Sequence, residues 1–110
     1  MSQAAWQRAT LPLLIFGVLD TAPRHGYGIS AALVEAGLQP IKGAQLYPAL
    51  VKLEGEGFIV ATWEQSESGP ARKVYELTDA GRTEAAALRE EWRAFTAAAA
   101  QLGAASAETQ

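Results

Sequence analysis

A mainly α-helical domain with one small β-hairpin and a long C-terminal helix is what three features of this chain predict. Leu46, Leu50 and Leu53 recur at spacings of four and three, the buried stripe of an amphipathic helix. The next segment, Phe58 to Glu64, is rich in β-branched and aromatic residues, and after Ser68-Gly69-Pro70 the chain returns as RKVYELT, with Tyr75 and Leu77 on one face of a strand. Further on, Ala85, Leu88, Trp92, Phe95, Ala99 and Leu102 follow at spacings of three, four, three, four and three, a heptad-like seam. A helix running directly into a hairpin with basic residues is the pattern of a winged helix-turn-helix, which presents the helix to a DNA groove and the hairpin to the adjacent backbone.

The elements are expected in the following order. Residues 10–20, TLPLLIFGVLD, read as a helix ending before Thr21-Ala22-Pro23, with Thr10 as N-cap and Pro12 in the first turn, where a missing N–H is harmless. A start near Ala4 would instead place a kink at Pro12. Apolar side chains surround most of this helix, which marks it as a central core element. A second helix is expected from about Tyr27 to Ala36, with Ile29, Ala32 and Leu33 inward, Gly26 and Gly28 at a tight lead-in and Gly37 at the C-terminal cap.

Pro40 and Gly43 break the chain before a third helix, roughly Gln45 to Glu54, so that helix, break and helix form the helix-turn-helix. Gln45, Pro48, Ala49 and Lys52 occupy the side away from the leucines, with Tyr47 at the boundary. Pro48 is acceptable only if the helix begins near Ala44 or Gln45. The hairpin tip is placed at Gln65 to Ala71 and the second strand at Arg72 to Thr78. The last helix starts near Thr78 or Asp79, and its seam, partly bare on a lone helix, implies a partner. The tail from Gly103, GAASAETQ, is small and polar and expected to be disordered. The chain therefore divides into a winged helix-turn-helix with an N-terminal helix over 1–78, a dimerisation helix over 79–102 and a tail over 103–110.

With 110 residues, about half of them hydrophobic, the chain has the size of one domain with a modest core. It has no cysteine and a single histidine, His25, so neither a disulfide framework nor a thiolate or multi-histidine metal site is expected, and no cofactor is implied. No secretory signal and no apolar run near ~20 residues is visible, so a cytoplasmic protein without a membrane span is expected. Nine Lys and Arg stand against twelve Asp and Glu, a net charge of −3 that counts against a general nucleic-acid binder. Distribution qualifies the total: Lys42, Lys52, Arg72 and Lys73 fall in or beside the helix and hairpin, while Glu84, Glu90 and Glu91 belong to the last helix.

The candidate DNA-binding residues are Lys42, Gln45, Tyr47, Pro48, Lys52, Arg72, Lys73 and Tyr27. Phosphate is the default partner for Tyr47 and Lys52, since most protein–DNA hydrogen bonds go to the backbone. A solvated helix face is the plain alternative. Arg72 and Lys73 could equally be charges that protect an edge hairpin from strand addition. Tyr27 is read first as a core residue with a polar tip and second as a phosphate donor, and His25 as a turn residue. Lys52, Arg72 and Lys73 converging on one surface would make affinity fall steeply with salt.

LPLLIFGVLDTAPRHGYGI, LYPALVKLEGEGFI and GPARKVYELTDAGR together resemble the signature blocks of PadR-like transcriptional regulators, in order and spacing across about residues 10–82. The single C-terminal helix is similar to the compact branch of that family. The resemblance implies a homodimeric repressor on a palindromic double-stranded DNA operator, with Leu88, Trp92, Phe95, Ala99 and Leu102 in the dimer interface. It also implies that Trp92, with Phe95 and Leu88 and more weakly Phe16 and Trp6, could line a slot between subunits for a flat aromatic effector. The chain departs from the family where Ala44-Gln45 replaces a small or hydroxyl residue before Leu-Tyr-Pro; a Gln there could read adenine in the major groove.

Two other classes compete. The net acidity suits a winged helix that binds protein or a small drug-like molecule without DNA. An enzyme has little support, because the chain shows no nucleophile with a nearby base, no Gly-rich phosphate loop before a lysine and no paired acids in an apolar setting.

Overall fold

A computed structural model describes residues 1–104, and in it the chain folds into five helices and one small sheet. Helix α1 (Gln3–Ala9) and α2 (Leu11–Thr21) are followed by β1 (Arg24–His25), α3 (Gly26–Glu35), α4 (Gly43–Gly55), β2 (Ile59–Ser66), β3 (Gly69–Leu77) and α5 (Asp79–Gln101). The sheet is antiparallel in the order β1-β3-β2. The expected tail over 103–110 falls mostly on residues 105–110, outside the described residues.

The core forms where four helices and the sheet meet. Leu11, Ile15, Phe16 and Leu19 of α2, Ile29 of α3, Leu46, Leu50 and Leu53 of α4, and Ile59, Tyr75 and Leu77 of the sheet are all buried together with Ala85 of α5. The Phe16 ring meets Phe58 edge-on at 6.1 Å between centroids, a favourable aromatic geometry.

The N-terminus differs from the expectation of one helix capped by Thr10. Residues 3–9 form their own helix, and Thr10, at φ −112° and ψ 15°, breaks the chain between α1 and α2. Its hydroxyl donates back to the Trp6 carbonyl at 2.8 Å, so it closes α1 and makes no side-chain cap for α2. Pro12 then sits at the start of α2, as its missing N–H requires. α1 is fastened by Gln7, a buried polar residue. Its amide accepts from the Gln39 N–H at 2.7 Å and donates to the Gln39 carbonyl at 3.0 Å, pinning α1 to the α3–α4 connection. Both polar ends of the side chain are thereby satisfied, as a buried amide demands.

Three further boundaries move. The hairpin gains a third strand, β1, whose two residues are too few to leave an alternating pattern. The wing turn is tighter than the expected Gln65–Ala71 tip: Ser66 pairs with Gly69, and Gly69-Pro70-Ala71 belongs to β3. The register shift between Glu64 and Ser66 sets Pro70 and Ala71 against Gln65, a bulge where a proline breaks no regular ladder bond. α4 begins at Gly43, so Pro48 lies one residue past the first turn and a half, deeper than the sequence allowed for. It deprives the Ala44 carbonyl of its helical donor, tolerable because Ala44 and Pro48 are both exposed.

The start of α5 shows why Leu-Thr-Asp-Ala-Gly is spelled as it is. Thr78 caps the helix by accepting from the Gly81 N–H at 3.0 Å, while its hydroxyl donates to the Gly57 carbonyl at 2.7 Å and its N–H to the Phe58 carbonyl at 3.1 Å. A Cβ at Gly81 would overlap the Phe58 carbonyl oxygen, so only glycine lets α5 approach the strand this closely. From there α5 packs on α2, with an Arg89–Asp20 ion pair at 3.8 Å along their contact. Its 23 residues, about 34 Å of helix, then outrun the body. The radius of gyration is 16.5 Å with extents of 61 × 27 × 21 Å, against about 13 Å for a compact chain of this size.

Candidate nucleic-acid interface

The interface is built around Tyr47. Gly26 opens α3 and is buried against the Tyr47 ring; a Cβ there would stand 2.7 Å from a ring carbon and from the hydroxyl. A Cβ on Gly43 would stand 3.3 Å from the other side. Two glycines from different elements thus leave a seat for one aromatic ring. Tyr47 remains 48% exposed, and Tyr27, next to Gly26, is 82% exposed. Tyr27 is therefore not the core residue expected from the sequence; its ring lies on the surface, because the adjacent inward position belongs to the buried Gly26.

Tyr27, Tyr47, Arg72 and Lys73, four of the expected DNA-binding residues, line one concavity of about 450 Å³ with His25 and Tyr75. Lys73 continues the Tyr75–Leu77 face of β3. Its ammonium lies 5.8 Å from the Tyr75 ring centroid and 3.5 Å from the Glu54 carboxylate on α4. Burial pushes the Tyr75 phenol above its usual pKa range; the Lys73 ammonium opposes this, and Glu54 and Tyr47 reinforce it. Arg72 is exposed and stands directly across the hairpin from Glu64.

The remaining candidates go elsewhere. Residues two apart leave a helix about 200° apart, so Gln45 and Tyr47 occupy opposite flanks of α4. Gln45 is half-buried, and Ala49, on its flank, packs against the core instead of facing solvent. Pro48 is exposed between the flanks, and Lys42 is exposed just before α4, where it makes no side-chain cap. Lys52 does not converge with Arg72 and Lys73. It borders a different depression, with Glu56 and with Glu84 of α5, so one acid assigned to a distant helix stands close to a candidate cation. Sequence reading could not see this, because folding creates the neighbourhood of Lys52 and Glu84.

A second surface lies where α5 crosses the α1–α2 junction. Pro12, Leu13, Leu88, Trp92 and Phe95, with Glu91 at the edge, line a largely apolar groove of about 320 Å³. The Trp92 and Phe95 rings are 6.2 Å apart between centroids, tilted by 36°. Phe16 does not share this groove. It is enclosed in the core and borders two other depressions, one beside Trp92 and one beside Lys52. Trp6, on the exposed side of α1, is also absent from the groove lining. Ala99 and Leu102, beyond the groove, are exposed.

Helix α4, the hairpin beside it and the α3–α4 turn define a winged helix-turn-helix. The model of the PadR-like family of transcriptional regulators matches residues 15–87, and the chain belongs to that family. Among solved structures, a PadR-family regulator from Eggerthella lenta DSM 2243 superposes with a TM-score of 0.81 at 28% identity, covering 90% of this chain and 86% of that one. A PadR-like regulator from Bacillus cereus gives 0.77 at 25% identity, over 87% and 93%. Bacillus subtilis PadR, solved in complex with operator DNA, gives 0.64 at 32% identity, over 76% of this chain and 45% of that longer one. No curated protein matches the sequence. Among the described residues no helix is long and apolar enough to cross a membrane, and no group of three or more acids and histidines could hold a metal ion.

Proposed function

We propose that this regulator is a homodimeric repressor that binds a palindromic operator and is released by a flat aromatic effector. The observation that carries the reading is the concavity in which α3, α4 and the wing bring Tyr27, Tyr47, Arg72 and Lys73 together beside the exposed side of α4. The α4 side bearing Ala44 and Pro48, with Lys42 just before it, enters the major groove, with Gln45 at its edge reading a base. The wing meets the flanking backbone, and Lys52 makes a peripheral phosphate contact. The operator complex of the Bacillus subtilis relative supports DNA as the partner.

The dimer rests on α5. Leu88, Trp92, Phe95, Ala99 and Leu102 continue the apolar seam past the body, and the last three are exposed. Pairing two such seams buries them and sets two α4 helices about one DNA turn, ~34 Å, apart. The Trp92–Phe95 groove borders that seam, so a flat ligand stacked there alters the spacing of the two reading helices. The test is a mobility shift and footprint on DNA upstream of its own gene. Two protected half-sites one turn apart are expected, and loss of the shift on adding the effector completes the reading. No shift at low salt selects the competing function, a winged helix that binds protein or a drug-like molecule without DNA.

A further inference from the structure

Three cations of the wing and α4 have carboxylates close by. Lys73 is 3.5 Å from Glu54, Arg72 stands opposite Glu64, and Lys52 shares its depression with Glu56 and Glu84. The Lys73 pair is the best defined. Glu54 leaves α4 on the same flank as Tyr47, two turns further along, and both partners keep about a third of their side-chain surface exposed, 38% for Lys73 and 33% for Glu54. Neither the core nor the hairpin needs this pair: Tyr75 and Leu77 are buried without it, and β2 and β3 are joined by their own ladder.

From this geometry we infer that Glu54 is a specificity-determining residue of the DNA-binding surface, withholding the Lys73 ammonium from phosphates of non-cognate DNA. The inference rests on the DNA-binding reading above. Non-specific affinity comes almost entirely from phosphate contacts that release counterions. A lysine already neutralised by an internal carboxylate offers little such gain, and the carboxylate itself repels a phosphate brought near. An exposed ion pair is weakly held, however. A duplex fixed in register by base contacts from α4 keeps a phosphate beside Lys73 long enough to draw it off Glu54. A duplex sliding past without those contacts meets a neutral pair. Discrimination then comes from penalising the wrong partner, a recognised route to specificity. The same arrangement reconciles a net charge of −3 with operator binding.

The test measures binding of the full chain to a labelled random-sequence duplex and to DNA upstream of its own gene, over a range of salt concentrations. Glu54→Gln is expected to bind the random duplex about five- to tenfold tighter near 0.1 M salt, with a salt slope steeper by about one phosphate's worth. Its preference for the upstream DNA should shrink accordingly. Glu54→Gln combined with Lys73→Gln should lose the gain, which ties it to the released ammonium. Glu90→Gln, which adds the same charge by breaking the exposed Glu90–Arg93 pair of α5, should change affinity less than about twofold. Melting curves confirm the fold of each variant, and Glu54→Ala serves if Gln perturbs it. Unchanged or weaker random-duplex binding by Glu54→Gln, or an equal gain in Glu90→Gln, overturns the inference while leaving the DNA-binding reading intact. If neither duplex binds wild type or variant, both fall.

Discussion

The two ends of α5 carry one apolar repeat and meet opposite surroundings. At the first turns the helix is locked: Thr78 caps it, Gly81 abuts the Phe58 carbonyl and Ala85 is 2% exposed. Leu88 and Trp92 are half-buried and Phe95 beyond them is 59% exposed; the helix stops at Gln101, one residue short of the expected end, and Leu102, extended just past it, is 82% exposed. The hydrophobic spacing specifies a continuous seam, but the body of one chain is too small to cover it. Periodicity thus tells which face of a helix is apolar, and the length of the neighbouring elements decides how far that face finds cover within the chain.

This contrast can be broken at either end. Gly81→Ala attacks the locked end, where the obstacle is a backbone carbonyl that cannot rotate away. Thermal unfolding should show a loss of about 3 kcal/mol or more. Phe95→Glu attacks the bare end: in a monomer it touches little, so the fold should survive while self-association is lost. Sedimentation at a fixed protein concentration separates these outcomes, and a Phe95→Glu protein that still self-associates would remove α5 from the interface. At the junction, Trp92 fluorescence in a Trp6→Phe, Trp63→Phe background should be quenched by a flat aromatic ligand, and the quenching should disappear in Leu88→Glu.

Smaller effects sharpen the account of the reading surface. Gly26→Ala forces the Tyr47 ring from its seat; because that ring is half-exposed and can swing, operator affinity should fall further than melting temperature. Lys52→Ala, beside two acids, should alter the salt slope by less than the full unit expected of a free phosphate contact. Tyr75 supplies the mildest signal. Its folded pKa is raised, so its contribution to stability is constant below the ordinary tyrosine value near ~10 and is lost as pH climbs through the folded value. An alkaline unfolding series that declines less steeply for Tyr75→Phe than for wild type would show this.

What was legible in the sequence was what is repeated or local. The Leu46–Leu50–Leu53 stripe, the alternation of Tyr75 and Leu77 and the α5 seam each announce a face through several residues, and the structure buries the first two as expected. The left-handed Gly37, at φ 96°, ends the helix-turn-helix's first helix where a glycine was read as a cap. What was hidden depends on single residues meeting across the chain. β1 has two residues and no period; Gln7 finds Gln39 through 32 positions of sequence, and Lys73 finds Glu54 through 19. Gly69-Pro70 misled in another way, since residues that favour turns also suit a bulge. The reading surface followed the same division. Its elements were visible in advance, whereas the partners of its charges, and the separation of Lys52 from Arg72 and Lys73, were not.

The exposed half of the seam is the feature on which the proposed dimer, its half-site spacing and its effector groove all depend. Sedimentation equilibrium of the wild-type chain without DNA tests it most directly. The account predicts a species of twice the 11.7 kDa chain mass at micromolar concentration, and a protein that remains at the single-chain mass there would contradict it.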